Sequence, residues 1–277
     1  VVLTLFKGGS IMKPSTLALA AALAFGTSVP VFAGSYNNDF SSGVGAASLR
    51  ESAVLDSGSV RLTPNVIDNL GSLVINDLDP GSVVTSFDAS FTLAIGPGST
   101  PPADGVSFSF GAPPPGTDAF GESGTWSGVA VVFDIFNNGE TPTPPVIRVL
   151  WNGVQVAAAQ GTLFSSGAFQ PVTIHYDSNG LDVDFNSGGI VLTNVALSGG
   201  PQSGSRFTFG ARTGSLSAEQ RIDDVAISTT AVARARPAPV PTLAEWATAA
   251  LAMLLAALAA MALRRRAVTG PGSSRRR

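Results

Sequence analysis

The chain has 277 residues, 44% of them hydrophobic and only 13% charged, with 31 Gly, 19 Pro and no Cys. So little charge beside so many turn formers argues against a helical bundle or coiled coil. The absence of cysteine excludes disulfide scaffolds, thiolate zinc sites and cysteine nucleophiles. The single histidine, His175, excludes a His-rich metal centre and leaves a Ser-His-Asp triad only if it is the base.

The net charge of −3 conceals an asymmetry: Gly34 to Ala233 holds six arginines, no lysine and 18 of the 19 acids, a balance of −12. An acidic body with basic ends does not bind nucleic acid by counterion release. It reads as an exported domain flanked by membrane-topology signals.

At the N-terminus, Val1 to Ile11 precede Met12-Lys13, which reads as the true start. Lys13 is followed by the apolar run Leu17 to Phe25, too short to span a bilayer. Val31-Phe32-Ala33 then places small residues three and one positions before Gly34. This is the pattern of a helical secretory signal over residues 1–33, cleaved after Ala33.

The body, residues 34–230, shows no helical periodicity. Short alternating apolar runs are separated by Gly, Pro, Asn and Asp. In chain order the predicted strands are Val83 to Ile95, Val106 to Phe110, Val129 to Phe136, Val146 to Trp151, Val172 to Tyr176, Leu181 to Phe185, Arg206 to Gly210 and Ile222 to Ile227. Trp151-Asn152-Gly153-Val154 and Asp177-Ser178-Asn179-Gly180 are hairpin signals, Asn-Gly favouring the type I′ turn. These eight, among at least ten short strands expected in all, predict an all-β sandwich or barrel.

The order of particular segments goes further. Ala103-Asp104-Gly105 leads into the apolar run Val106 to Phe110. Later come Val129-Ala130-Val131-Val132-Phe133-Asp134-Ile135-Phe136-Asn137-Asn138, then Ile147 to Gly153, and finally Arg221 to Ile227. From about Phe40 to Ser228 this resembles the concanavalin A-like jelly roll of two antiparallel sheets, specifically the legume-type lectins and their bacterial relatives. The resemblance implies a sugar-accepting carboxylate at Asp104, whose peptide bond with Ala103 is cis in that family. It also implies a sugar contact at Asn138, an aromatic wall at Phe136, and a backbone N–H donor at Gly121 or Gly124. For calcium it implies Asp134, the Phe136 carbonyl and Asn138 as ligands, with Glu140 the nearby substitute for a missing aspartate. The family's Glu is Val132 here and its transition-metal His falls near Val146, so no transition metal is expected. One weakly held calcium ion is the cofactor this set implies, since calcium takes six to eight oxygens and few are at hand.

The residues also carry plainer readings. Asp104-Gly105 is ordinary turn chemistry, and Asp134 could be a polar residue at a strand end. Asn76-Asp77-Leu78-Asp79-Pro80, Asp182/Asp184 and Asp223-Asp224 read as solvated turns or outward faces.

Glucanases of the same fold place carboxylates at i, i+2 and i+4 of one strand, so that acid and nucleophile flank the bond. The corresponding positions are Val132, Asp134 and Phe136, two of them apolar. His175 alternates outward between Ile174 and Tyr176. The chain is read as non-catalytic: a lectin-like binder of extracellular or cell-surface carbohydrate. The alternatives are a matrix or surface protein without a sugar pocket and a glycoside hydrolase.

After a Pro/Ala linker over 231–239, the C-terminus is a second address. Ala247 to Leu263 is 17 residues without charge, reaching roughly 26 Å as a helix against a ~30 Å hydrocarbon core. Arg264 to Arg266 and Arg275 to Arg277 mark the cytoplasmic side. Immediately upstream, Val240-Pro241-Thr242-Leu243-Ala244-Glu245-Trp246 resembles the Ile-Pro-Thr-Leu-Ser-Glu-Trp motif of sorting signals related to the PEP-CTERM group. The residues 240–277 thus form motif, transmembrane helix and basic tail (264–277) in that family's order. The resemblance implies recognition by an exosortase-type membrane protease, a transient membrane anchor, and delivery to the surface or matrix. Pro237, Pro239 and Pro241 are expected to keep the approach to the motif extended.

Overall fold

The computed structural model describes residues 31–112, 119–160, 166–185, 190–200, 204–234 and 242–268. The chain divides into two units between Ala233 and Arg234. All but the last three residues of the expected signal segment, Val31 to Ala33, lie outside the described residues, as do Val240 and Pro241.

The first unit is all strand. It begins with β1 (Val31–Phe32), β2 (Ser35–Asn38), β3 (Ala47–Glu51), β4 (Val54–Asp56), β5 (Ser59–Thr63), β6 (Asn69–Ile75) and β7 (Ser82–Gly98). It continues with β8 (Gly105–Gly111), β9 (Val129–Asp134), β10 (Val146–Trp151), β11 (Val154–Gln160) and β12 (Gln170–Asp177). Then follow β13 (Gly180–Phe185), β14 (Ile190–Val195), β15 (Arg206–Thr213) and β16 (Ala218–Ala233). One sheet runs β14-β13-β12-β7-β16-β5-β4, with β1 and β2 along β16; the other runs β11-β10-β9-β8-β15-β6-β3. The pairings described are antiparallel. This is the expected jelly-roll sandwich.

Side chains alternate across a strand, so Phe87, Phe91, Leu93 and Ile95 of β7 all reach the space between the sheets. There they meet Phe108, Phe110, Phe207 and Phe209 from the other sheet. Phe91 and Phe209 lie 4.9 Å apart edge-on, and Phe87 and Phe207 5.2 Å. Each such pair contributes about 1 kcal/mol beyond its buried area.

Alternation fails in the middle of the seven-stranded sheet, where every residue of β8 and β9 is buried. The reason is a loop over 119–128 laid across that sheet's outer face. Ser107 Oγ donates to the Gly121 carbonyl at 2.8 Å, and Ala130, Val132 and Leu150 form a second small apolar cluster there. This covering turns β9 into a continuous apolar run and fixes the loop where the site is built.

Of the strand boundaries that differ from the expectation, two bear on the reading of the chain. β9 ends at Asp134 rather than Phe136, because the Asp134 carboxylate accepts the Phe136 N–H at 3.2 Å and turns the chain. β16 runs on to Ala233, so 231–233, read above as linker, are strand, with Ala231 fully buried opposite Val84. Asp79, read as a solvated turn, is 6% exposed and accepts from Thr229 Oγ1 at 2.6 Å.

The second unit contains α1 (Leu243–Val268), 26 residues long. Its stretch Leu243–Arg265 has a mean hydropathy of 2.1 and is long and apolar enough to cross a membrane.

Candidate functional site

Asp104 sits at the entry to β8. The Ala103–Asp104 peptide is cis, as the resemblance implies. Its neighbours hold it from two sides: the Asp104 N–H donates to the Arg212 carbonyl at 3.0 Å, and the Ile135 N–H donates to the Asp104 carbonyl at 3.1 Å. Buried Gln220 donates from Nε2 to the Ala103 and Arg212 carbonyls at 3.3 and 3.0 Å. Gly105 pairs with Asp134, so the two expected carboxylate positions stand at adjacent strand ends.

The loop after β9 carries the other expected residues. Phe136 is half-buried, and Asn138 is exposed with its N–H donating to Glu140 Oε2 at 2.6 Å. Of the two glycines, Gly124 is buried and its N–H donates to the Gly121 carbonyl at 3.0 Å. A Cβ on Gly124 would stand 2.3 Å from Ser109 Oγ, so this glycine serves close packing of the loop on the sheet.

Three charged residues at the site were not singled out from the sequence. Arg148 of β10 brings Nη2 to 2.8 Å from Asp134 Oδ2 and 4.0 Å from Glu140 Oε1. Arg212 of β15 places Nε 3.8 Å from Asp104 Oδ2 and Nη1 3.7 Å from Glu122 Oε1. A signal for Arg148 was present: it is the one charge inside the apolar run Val146 to Trp151. Glu122 and Arg212 carried none, since their partners are distant in sequence.

The electrostatics are those of four carboxylates against two guanidiniums. Burial pushes Asp134 up to about 6, opposed by Arg148 and reinforced by Glu140. Burial likewise raises Asp104, opposed by Arg212, and raises Glu122. Desolvation wins over pairing at all three. His175, by contrast, stands on the other sheet, with Nδ1 2.7 Å from Asp88 Oδ1.

Calcium can be tested against this donor set. Asp134 Oδ2 is buried and makes no hydrogen bond, although it faces Arg148. Asp134, the Phe136 carbonyl, Asn138 and Glu140 lie on one turn. Among the described residues there is no group of three or more acidic or histidine side chains able to hold a metal. The set offers four donors, short of the six to eight oxygens calcium takes, so an ion there would be weakly held and would compete with the Arg148 guanidinium. Val132 and Val146, where the family has Glu and His, are fully buried apolar side chains.

At the start of α1, the Thr242 N–H donates to Glu245 Oε2 at 2.7 Å, and the Glu245 N–H donates to Thr242 Oγ1 at 3.3 Å. This is a reciprocal capping box, which satisfies two orphan donors and sets where the helix begins. Leu243 to Trp246 of the expected motif therefore belong to the helix, with Trp246 64% exposed.

Two antiparallel sheets packed in this order form a concanavalin A-like jelly roll, the sandwich of lectins. The legume-like lectin family model matches residues 36–236, and the chain belongs to that family. The IPTL-CTERM motif matches residues 238–266. The protein is thus an exported, membrane-anchored precursor destined for the cell surface, and its motif implies an exosortase-type system.

Among solved structures, winged bean acidic lectin with methyl-α-D-galactose is similar at 23% identity and a TM-score of 0.59, over 74% of this chain and 100% of that one. The lectin from Bauhinia forficata with GalNAc is similar at 22% and 0.57, over 73% and 100%. The VIP36 exoplasmic/lumenal domain, in a Ca2+/Man3GlcNAc-bound form, is similar at 16% and 0.52, over 74% and 90%. These likenesses establish the fold. No curated protein matches the chain.

Proposed function

We propose that the sandwich binds extracellular or cell-surface glycan at the Asp104 end of the seven-stranded sheet, and that exosortase-type cleavage near residues 240–246 releases it from its anchor. The observation that carries the reading is the placement of Asp104. A mostly buried carboxylate beside Arg212, adjoining the Asp134–Glu140 turn, is a convergent polar group of the kind a sugar site needs. In this reading Asp104 accepts from two sugar hydroxyls and Asn138 contributes its amide. Phe136 supplies an apolar wall. Gly121 supplies the backbone N–H, the Gly124 N–H being engaged within the loop.

A calcium ion would be held by Asp134, the Phe136 carbonyl, Asn138 and Glu140, and would order that turn. Arg148 supplies positive charge to the same carboxylates when calcium is away. The relatives' ligands suggest the first panel: mannose, galactose and N-acetylgalactosamine, each as monosaccharide and in oligosaccharides. Full-length protein in detergent is expected to bind members of this panel, and Asp104→Asn to abolish the binding. A protein that binds no glycan, with calcium or with chelator, refutes the reading. For sorting, intact mass spectrometry of surface protein is expected to lack the helix beyond Trp246; a retained helix refutes cleavage.

A further inference from the structure

Trp126 is 67% exposed, and its backbone is left-handed at φ 58°. Bulky residues rarely adopt that conformation, and it persists where the surroundings impose it, often at ligand-binding positions. Here the surroundings are explicit. Gly128 and Asn152 exchange two bonds, the Gly128 N–H to Asn152 Oδ1 and the Asn152 N–H to the Gly128 carbonyl, both at 2.8 Å. This ties the loop to the β10–β11 hairpin. The indole backs onto Gly153, where a Cβ would stand 2.8 Å from the ring, so the ring is supported while most of its surface meets water.

The indole borders a groove of about 160 Å³, lined also by Leu70, Gly121, Glu122 and Arg212. Arg212 also faces Asp104, so the groove is continuous in chemistry with the proposed sugar carboxylate. We propose that this groove is a second saccharide subsite and that the ligand is an oligosaccharide of uncharged sugars. One unit engages Asp104, and a further unit of the same chain stacks its C–H face on Trp126. This deepens the carbohydrate reading and rests on it. An indole offers a broad apolar face with little entropy to lose, suited to the apolar side of a pyranose. Glu122 and Arg212 offer an acceptor and donors for its hydroxyls. Asp104, Glu122, Asp134 and Glu140 outnumber Arg148 and Arg212, which disfavours uronates.

The test compares mono- and oligosaccharides of the panel by calorimetry and tryptophan emission, with full-length protein in detergent. Trp126→Ala is expected to weaken oligosaccharide binding at least tenfold while changing monosaccharide affinity less than twofold. Trp126→Phe should restore part of the loss, and the emission change on oligosaccharide binding should vanish in Trp126→Ala. Unchanged oligosaccharide affinity in Trp126→Ala overturns the subsite, as does an equal loss for both ligand sizes. Either result leaves the Asp104 reading standing if Asp104→Asn still abolishes all binding. A wild type that binds neither size overturns both.

Discussion

Arg148 and Asp134 face each other from adjacent strands, Nη2 to Oδ2 at 2.8 Å, with side chains only 14% and 2% exposed. The guanidinium lies against the carboxylate that the calcium turn would use. A fixed internal cation therefore partly neutralises Asp134 when no metal is bound.

Removing that cation should have two consequences. Arg148→Gln leaves Asp134 buried without its partner and is expected to cost about 3 kcal/mol of stability. It also frees the carboxylate for an ion. Calcium should then raise the Tm of Arg148→Gln more than that of the wild type, in melts with calcium against chelator. Equal shifts in both proteins would show that Arg148 does not compete for the site.

The pH dependence follows from Asp134. Its folded value of about 6 lies above the ordinary carboxylate value of 3.8, so the folded state binds the proton more tightly than the unfolded chain. The stability it confers is fully present below about 4 and is lost as pH rises through about 6, on the order of 3 kcal/mol at most. His175, raised by its bond to Asp88, adds in the same direction, with stability lost as pH climbs past its raised value. Thermal melts between pH 4 and 8 should show Tm falling with rising pH. Asp134→Asn should flatten the lower half of that fall.

Gly34 tests the edge of the nine-stranded sheet. Its N–H donates to Thr229 Oγ1 at 3.0 Å, and a Cβ would stand 2.6 Å from the Leu78 carbonyl oxygen. Backbone cannot yield cheaply, so Gly34→Ala is expected to lower stability by about 1–3 kcal/mol, read as a drop in Tm. Gly58, whose Cβ would meet nothing within 4 Å but whose φ is +77°, is the control for backbone strain without a clash.

The sorting helix has its own test. Thr242→Ala removes one half of the capping box and should cost the helix about 1 kcal/mol, whereas Thr242→Ser should cost little. Amide exchange at Leu243 to Trp246 in micelles would read the fraying, and slower processing should accompany it.

The strands predicted between Val83 and Ile227 were legible because alternation is local: each apolar residue of β7 or β12 announces its own face; β11 and β14, within the same stretch, were not singled out. β3 and β4 were not, since they lie at sheet edges with few buried side chains to mark a pattern. β6 was missed for the opposite reason, Gly71 to Ile75 being buried on both faces; β8 and β9 are buried on both faces as well, yet Val106 to Phe110 still alternates with serine in the sequence. Asp104 and Asp134 were visible through their resemblance to a family pattern, yet their strand-end adjacency depends on the β8–β9 register.

What the sequence determined alone is where this protein goes and what kind of body it carries. A signal pattern, a Pro-Thr-Leu-Ala-Glu-Trp motif, an apolar span and an arginine cluster act as linear elements, recognised without a folded core. Which charges meet was decided only by tertiary structure. Arg148, Arg212 and Glu122 arrive from β10, β15 and a covering loop. Asp79 is buried through Thr229, 150 residues away. Such contacts arise from sheet pairing between distant segments, whose energy appears only when the whole sandwich closes.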